Sequence, residues 1–356
     1  MIRMNSSVIH LSVASDARYI TGAIGTLASI RLAVPLETEI RVIFLHDRLT
    51  QYEQQRVLDA MAKLKRAPIV EFMRVDANFG SFPAFSFGST MSYARLLLPE
   101  KVDMERLIYI DVDILVLKDL SELVRLDLPA TGVGGVAEKI IAEDMPKVKP
   151  VDLDPDQPYL NAGLLVLDLN KVKQAGVFSK ALDILSNFPE SCRWHDQSAI
   201  NYVLNGETRV LDNSWNVQSQ YMYFDPIDVI PSLADRTVNV HFTSKAKPWL
   251  APTPFPAEQM YRKLLDAVDP GWRNDPYVTS SMWKAKERYA AVMPMLFRAR
   301  ALWLKLTGRD GFWDLREAQI WAKHNRNFKR MGEKDAEIMS LFEGWQTQIN
   351  AALAGS

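Results

Sequence analysis

Two carboxylates one residue apart can share a hard cation through their oxygens and leave coordination positions open for phosphate. The sequence carries this Asp-x-Asp spacing at Asp111/Asp113, Asp152/Asp154 and Asp154/Asp156. Only Asp111 follows an apolar run, Leu107-Ile108-Tyr109-Ile110. Open α/β sheets bind ligands beyond the carboxyl ends of their strands, so this pair is the one placed for chemistry. The run from Asp152 to Asp156 lacks the glycine and the glutamate of an EF-hand calcium loop and reads as a solvated acidic loop. Two chemistries compete for Asp111 and Asp113: a phosphohydrolase with a nucleophilic first aspartate, and a metal clamp for a nucleotide diphosphate. The phosphohydrolase pattern puts a small glycine and a threonine or valine right after the second aspartate, where this chain has Ile114 and Leu115. Cys192 and His195 invite a Cys/His nucleophilic pair, but their spacing just ahead of a helix supplies no orienting partner.

These residues need a scaffold, and the first 250 residues alternate short apolar runs with helix-period segments, the pattern of parallel strands joined by helical crossovers. Strands are expected at 8–14, 41–46, 69–75, 107–110 and 160–167, and helices at 19–33, 50–66, 90–98, 170–188 and 196–204. Residues 78–89 and the proline- and acid-rich stretch 145–158 read as loops. Prolines at 252, 254 and 256 mark a boundary, after which helices are expected to about 268 and near 281–307 and 312–353.

The 356 residues hold 42 Lys+Arg against 43 Asp+Glu and are 48% hydrophobic, an ordinary globular composition that excludes disorder. Cys192 is the single cysteine, which rules out an intrachain disulfide and a thiolate metal cage and fits a reducing, cytoplasmic setting. No run reaches the roughly 18 apolar residues of a spanning helix, and residues 1–14 read as a strand without a signal-peptide cleavage pattern.

Five segments in order carry a family resemblance: Ser92-Tyr93-Ala94-Arg95-Leu96, Tyr109-Ile110-Asp111-Val112-Asp113, Leu160-Asn161-Ala162-Gly163, Trp194-His195-Asp196-Gln197-Ser198, and the stretch from His241 to Trp249. Across residues 7–250 the chain resembles glycosyltransferase family eight, which includes bacterial lipopolysaccharide galactosyl- and glucosyltransferases and glycogenin. The resemblance implies a nucleotide-diphosphosugar transferase (GT-A) fold, an α/β Rossmann-like mixed sheet flanked by helices. It further implies a UDP-hexose donor, Mn²⁺ as cofactor with Mg²⁺ as the other hard cation, and retention of anomeric configuration.

By the same resemblance Asp111, Asp113 and His241 are the metal ligands, and Lys247 contacts the donor phosphates. The family's glycine in this last motif is Ser244 here, and glycine lets a backbone approach phosphate without a side chain in the way. Asp16 resembles the residue that accepts from uracil, with Arg18 standing where the family often has asparagine. Arg95 is placed near the donor sugar and phosphates, and Asn161, Ala162, Asp196 and Gln197 in the sugar pocket. Asp196 would accept from the hexose hydroxyls. Gln197 would face the anomeric carbon, and an amide is a poor nucleophile, which favours attack on the leaving-group face over a covalent intermediate.

Residues 283–331 hold twelve Lys/Arg against Glu287, Asp310, Asp314 and Glu317, with aromatic and aliphatic residues between them at near-helical spacing. This basic amphipathic stretch, kinked at Pro294, is expected either to lie on an anionic membrane surface or to pack on the catalytic body. No nucleic-acid module is recognisable. The expected organisation is a catalytic domain over 1–250 and a C-terminal helical extension over 251–356. The expected protein is a cytoplasmic retaining hexosyltransferase acting on a saccharide or lipid-linked acceptor, peripheral on the inner face of the cell membrane. The alternatives are a metal-dependent UDP-sugar hydrolase and a catalytically silent UDP-sugar-binding scaffold.

Overall fold

The computed structural model describes residues 8–76, 79, 80, 82, 89–138, 156–222, 227–243, 247–250, 255–278, 292–309 and 330–355, with isolated positions between 311 and 326. Loop 78–89 and the acidic stretch 145–158 fall largely outside these residues, the basic segment 283–331 in part, and Ser244 wholly.

The N-terminal half supplies β1 (Val8–Ala14), α1 (Ile20–Ala33), β2 (Glu39–His46), α2 (Gln51–Ala62) and β3 (Ile69–Arg74). Helix α2 opens on a capping box: Thr50 accepts from the Glu53 amide while the Glu53 carboxylate accepts from the Thr50 amide. Next come a 3-10 turn over Met91–Leu97, α3 (Leu98–Lys101), β4 (Arg106–Ile110), β5 (Ile114–Leu115), β6 (Val133–Ala137) and β7 (Leu160–Asp168). Beyond it lie α4 (Leu169–Ala175), α5 (Val177–Asn187), α6 (His195–Leu204), β8 (Arg209–Leu211), β9 (Val217–Gln218), α7 (Ser219–Met222), α8 (Ile230–Ala234) and β10 (Val240–His241). The C-terminal helices described are α9 (Pro256–Val268), α10 (Met293–Leu306) and α11 (Asp335–Ala352).

Among the described residues the strands form a seven-stranded sheet ordered β3-β2-β1-β4-β7-β6-β8 and a small sheet ordered β5-β10-β9. Strands β1 to β4 run parallel, and β7 enters antiparallel between β4 and β6. The sheet is therefore mixed, the Rossmann-like arrangement that the resemblance implies. Both of its faces are covered. Val42, Phe44, Ile108, Ile110, Leu164 and Val166 pack with α1, α9 and α11, while Ile43, Leu45, Leu107, Tyr109, Leu165 and Leu167 pack with the 3-10 turn and α4 to α6. Side chains alternate across a strand, so two-sided burial demands a continuous apolar run.

Three expectations change in detail, the first being the helix expected over 90–98, which is the 3-10 turn Met91–Leu97. The helix expected over 170–188 is two helices, because Gly176 closes α4 in the left-handed conformation (φ 67°) and α5 starts afresh. Pro294 starts α10 rather than kinking it: proline fits the first turn of a helix, where its missing N–H has no partner to lose.

Helices α9 and α11 extend the same core. Tyr261, Leu264, Leu265, Leu341, Trp345 and Ile349 belong to the apolar cluster that contains Leu11 and Ile24, and Trp345 donates to the Met260 carbonyl at 2.8 Å. By contrast Ala301 alone is buried within α10.

Candidate sugar-transfer centre

Strand β4 ends at Ile110, and the chain then makes the turn that carries Asp111 and Asp113. The Asp111 amide donates to the Gly163 carbonyl at 2.8 Å, and the Phe242 amide donates to the Asp113 carbonyl at 2.9 Å. These two bonds tie the turn to β7 on one side and to the end of β10 on the other. The small sheet then sets His241 opposite Ile114 and beside Gln218.

The three candidate ligands meet as a result. One donor atom from each of Asp111, Asp113 and His241 lies within 4.8 Å of the others. Each carboxylate divides its oxygens. Asp111 Oδ1 accepts from Arg95 Nη2 and from Tyr109 Oη, both at 3.0 Å, while its Oδ2 faces His241 Nε2 at 3.9 Å. Asp113 Oδ2 accepts from Lys247 Nζ at 2.5 Å, and its Oδ1 faces His241 Nε2 at 3.2 Å. Two carboxylate oxygens and one imidazole nitrogen are thus turned toward a common point, and that donor set fits a divalent ion of the Mn²⁺ or Mg²⁺ kind.

The charges of this site are mutually compensated. Burial alone would raise the Asp113 carboxyl, but the Lys247 ammonium foremost outweighs it and holds it below the ordinary range. Burial would likewise lower Arg95, but Asp111 and Asp196 outweigh it, so the guanidinium is firmly charged. Arg95 lies 4.2 Å from the centroid of the Tyr109 ring and donates to the carbonyls of Ser92 and Ala162. Its ion pair with Asp196 spans 2.8 Å. Asp196 is 1% exposed, and burial raises its carboxyl against the opposing pull of Arg95.

Asp196 and Gln197 are aimed by a strained residue. His195 adopts φ 57°, a left-handed conformation uncommon outside glycine. Its amide donates to the Cys192 carbonyl at 2.8 Å, the Trp194 amide donates to Ser198 Oγ at 2.9 Å, and Tyr93 Oη meets His195 Nδ1 at 3.2 Å. Held this way, α6 presents Asp196 and Gln197 in its first turn. Gln197 Oε1 accepts from the Ala162 amide at 3.1 Å, and its Nε2 donates to Glu138 at 3.0 Å.

These side chains line one cleft of about 640 Å³, within the range of small-ligand sites. Of the residues singled out in the sequence, the cleft is lined by Arg95, Asp111, Asp113, Asn161, Ala162, Asp196, Gln197, His241 and Lys247. Asp16 is placed otherwise. It follows β1, is 5% exposed, and is engaged by Arg18 through the backbone amide at 2.9 Å and the guanidinium at 2.6 and 3.1 Å, while Ala14 and Ser15 line the cleft. A second cleft of about 490 Å³ between α8, α9 and α11 is lined mainly by apolar side chains such as Met260, Leu341 and Trp345.

Three lining or supporting residues escape sequence reasoning. Tyr109 looks like one more apolar strand residue until its hydroxyl is seen on Asp111. Glu138 stands directly after the glycine-rich β6, and its position at a strand end is the one clue to it. Asn216 carries no signal at all.

Similar proteins align with the chain over most of its length. General stress protein A of Bacillus subtilis is 24% identical over 267 residues, covering 71% of this chain and 92% of that protein. A lipopolysaccharide 1,2-glucosyltransferase of Escherichia coli K12 is 28% identical over 219 residues, covering 58% of this chain and 63% of that one. A lipopolysaccharide 1,3-galactosyltransferase of Salmonella typhimurium is 25% identical over 253 residues, covering 69% and 74%. The crystal structure of the galactosyltransferase LgtC with donor and acceptor sugar analogues superposes with a TM-score of 0.62 at 22% identity, covering 75% of this chain and all of that one. The sequence model of glycosyl transferase family 8 matches residues 10–253, the span that contains every lining residue of the cleft, and the chain belongs to that family.

Proposed function

We propose that the protein is a retaining hexosyltransferase that moves glucose or galactose from a UDP-sugar to a saccharide or lipid-linked acceptor, in lipopolysaccharide or other surface-glycan synthesis. The convergence of Asp111 Oδ2, Asp113 Oδ1 and His241 Nε2 beside the Gln197 amide carries this reading. The activities named for the Escherichia coli and Salmonella relatives support the hexose and the acceptor class. The ion proposed is Mn²⁺, with Mg²⁺ as the alternative.

A divalent ion bound there stabilises the negative charge that grows on the diphosphate as the sugar leaves. Asp111, Asp113 and His241 would hold it, and Lys247 brings a further positive charge to the phosphates. Asp16 and Ser244 are proposed to meet the nucleotide end of the donor. The acceptor hydroxyl attacks the anomeric carbon from the leaving-group side. Its new C–O bond forms as the bond to the diphosphate breaks, and the departing phosphate oxygen takes the hydroxyl proton. Gln197, fixed by Ala162 and Glu138, steadies the cation-like carbon without bonding to it. Asp196, ion-paired with Arg95, is poorly available as a nucleophile.

Residues 1–250 are proposed as the catalytic domain and 251–356 as its helical extension. In that extension α9 and α11 pack on the body, and α10 meets an anionic membrane surface at the inner face of the cell membrane. No helix among the described residues is long and apolar enough to cross a membrane.

The test is UDP release from UDP-glucose, UDP-galactose and their N-acetyl relatives, with Mn²⁺ or EDTA, for the full chain and Asp113→Ala. Release from one donor, abolished by EDTA and lowered on the order of 10²-fold or more in the variant, supports the reading. Turnover that no acceptor accelerates indicates a hydrolase. Donor binding without turnover under any acceptor indicates a silent scaffold, and a glycosyl adduct trapped on Glu138, Asp196 or Gln197 overturns front-face attack.

A further inference from the structure

A chain of side-chain amides leads from Glu138 to the imidazole of His241, and its direction can be deduced. Asn161 Oδ1 lies 2.9 Å from the Gly163 amide nitrogen, which only donates, so the Asn161 carbonyl is on that side. Its Nδ2 then faces Glu138 Oε2 at 3.1 Å, a carboxylate that accepts. The same Asn161 carbonyl lies 2.8 Å from Asn216 Nδ2, which turns the Asn216 carbonyl toward His241 Nδ1 at 3.0 Å. A carbonyl cannot donate. Nδ1 therefore carries a proton, and Nε2 is the nitrogen left facing Asp111 and Asp113.

We infer that Asn216 is a positioning residue that keeps His241 protonated on Nδ1, so that the Nε2 lone pair is available to a cation held with Asp111 and Asp113. The inference rests on reading those three residues as a cation site. Asn216 is 3% and His241 5% exposed, so water does not readily replace the lost acceptor. Without it the proton moves to Nε2, where Asp113 Oδ1 waits at 3.2 Å, and a cation must displace it. Histidine ligands are commonly oriented in this way by an acceptor on the far nitrogen, at 10–100-fold in metal affinity. Glu138 Oε2 also accepts from Gln197 Nε2 at 3.0 Å, so one carboxylate anchors both the imidazole and the amide beside the sugar.

Two measurements on the full chain decide this. Mn²⁺ binding in the presence of UDP, followed by the electron paramagnetic resonance signal of free Mn²⁺, compares the unaltered protein with Asn216→Leu. Nitrogen-15 NMR of histidine-labelled protein, with His241 assigned through His241→Gln, reads which ring nitrogen holds the proton. Support is Nδ1 protonation in the unaltered protein, together with a 10–100-fold loss of Mn²⁺ affinity and a shift of the proton to Nε2 in the variant. Nε2–H with bare Nδ1 in the unaltered protein overturns the inference, even if the variant does not fold. Equal Mn²⁺ affinity in a folded variant overturns it too. An unaltered protein that binds no Mn²⁺ sinks the cation site itself, a different failure.

Discussion

Each aspartate of the cluster commits one oxygen to a fixed cation, Arg95 or Lys247, and keeps the other for the site. That division leaves one oxygen of half-buried Asp111 and one of buried Asp113 at 3.9 and 3.2 Å from the same imidazole nitrogen. Cys192 shows the opposite treatment of a reactive group. It is 2% exposed, and burial first, then Glu190 and Asp196, push its thiol up to about 12 from 9.0. The thiol is neutral at physiological pH and inert as a nucleophile. The folded state holds that proton more tightly than the unfolded one, so the thiol's contribution is complete below pH 9 and falls as pH rises toward 12. The stability difference between the unaltered protein and Cys192→Ala is expected to shrink by about 1.4 kcal/mol per pH unit above 9, read from urea midpoints. A difference independent of pH would show that the thiol is not held this way. Iodoacetamide is expected to label Cys192 only after unfolding.

At the scale of elements, β7 sets the site through a glycine. A methyl group on Gly163 would overlap the His241 ring at Cε1 and Nδ1. Strand β7 pairs with β4 on one side and β6 on the other, so its backbone cannot yield, and the imidazole must turn instead. Gly163→Ala is expected to lower donor turnover on the order of 10²-fold, because a displacement near 1 Å at a catalytic group has that effect. Steady-state UDP release checks it, and an unchanged rate would mean that the ring relaxes without loss. Gly22 on α1 plays the same part for packing: a side chain there would meet the Trp249 ring, which explains the buried tryptophan of the Lys247-Pro248-Trp249 run.

At the scale of the whole molecule the C-terminal helices have different fates. Helix α11 completes the core through Leu341, Trp345 and Ile349. Helix α10 faces outward with Val292, Met295, Leu296, Leu302, Trp303 and Leu306 exposed by 42–77%. Their spacing of three, four and seven residues makes one stripe, and Arg298, Arg300, Lys305 and Arg309 are exposed alongside it. An apolar stripe with basic flanks is the composition that binds anionic lipid. Flotation with phosphatidylglycerol vesicles is expected to carry the protein, and neutral vesicles to carry much less. Replacing Leu302 and Trp303 by Glu is expected to weaken the association by at least about 10-fold, since each buried side chain contributes about 1.5–3 kcal/mol. Equal flotation of the two proteins would assign the stripe to another partner.

The sequence by itself determined the layered α/β class, the central strands and the placement of Asp111 and Asp113 at a strand end. Those features rest on local period and on the one position in the chain where paired acids follow an apolar run. It also marked Arg95, Asn161, Asp196, Gln197 and His241, through motifs whose order could be read without any structure. Tertiary structure alone decided which oxygen of each aspartate faces His241, and that Glu138 and Asn216 stand behind Gln197 and His241. The reason is distance along the chain: Asn216 lies 25 residues from His241 and 55 from Asn161, and a hydrogen bond between such residues leaves no periodicity to read. The pairing of β10 with β9, set by backbone hydrogen bonds, brings Asn216, just ahead of β9, to His241.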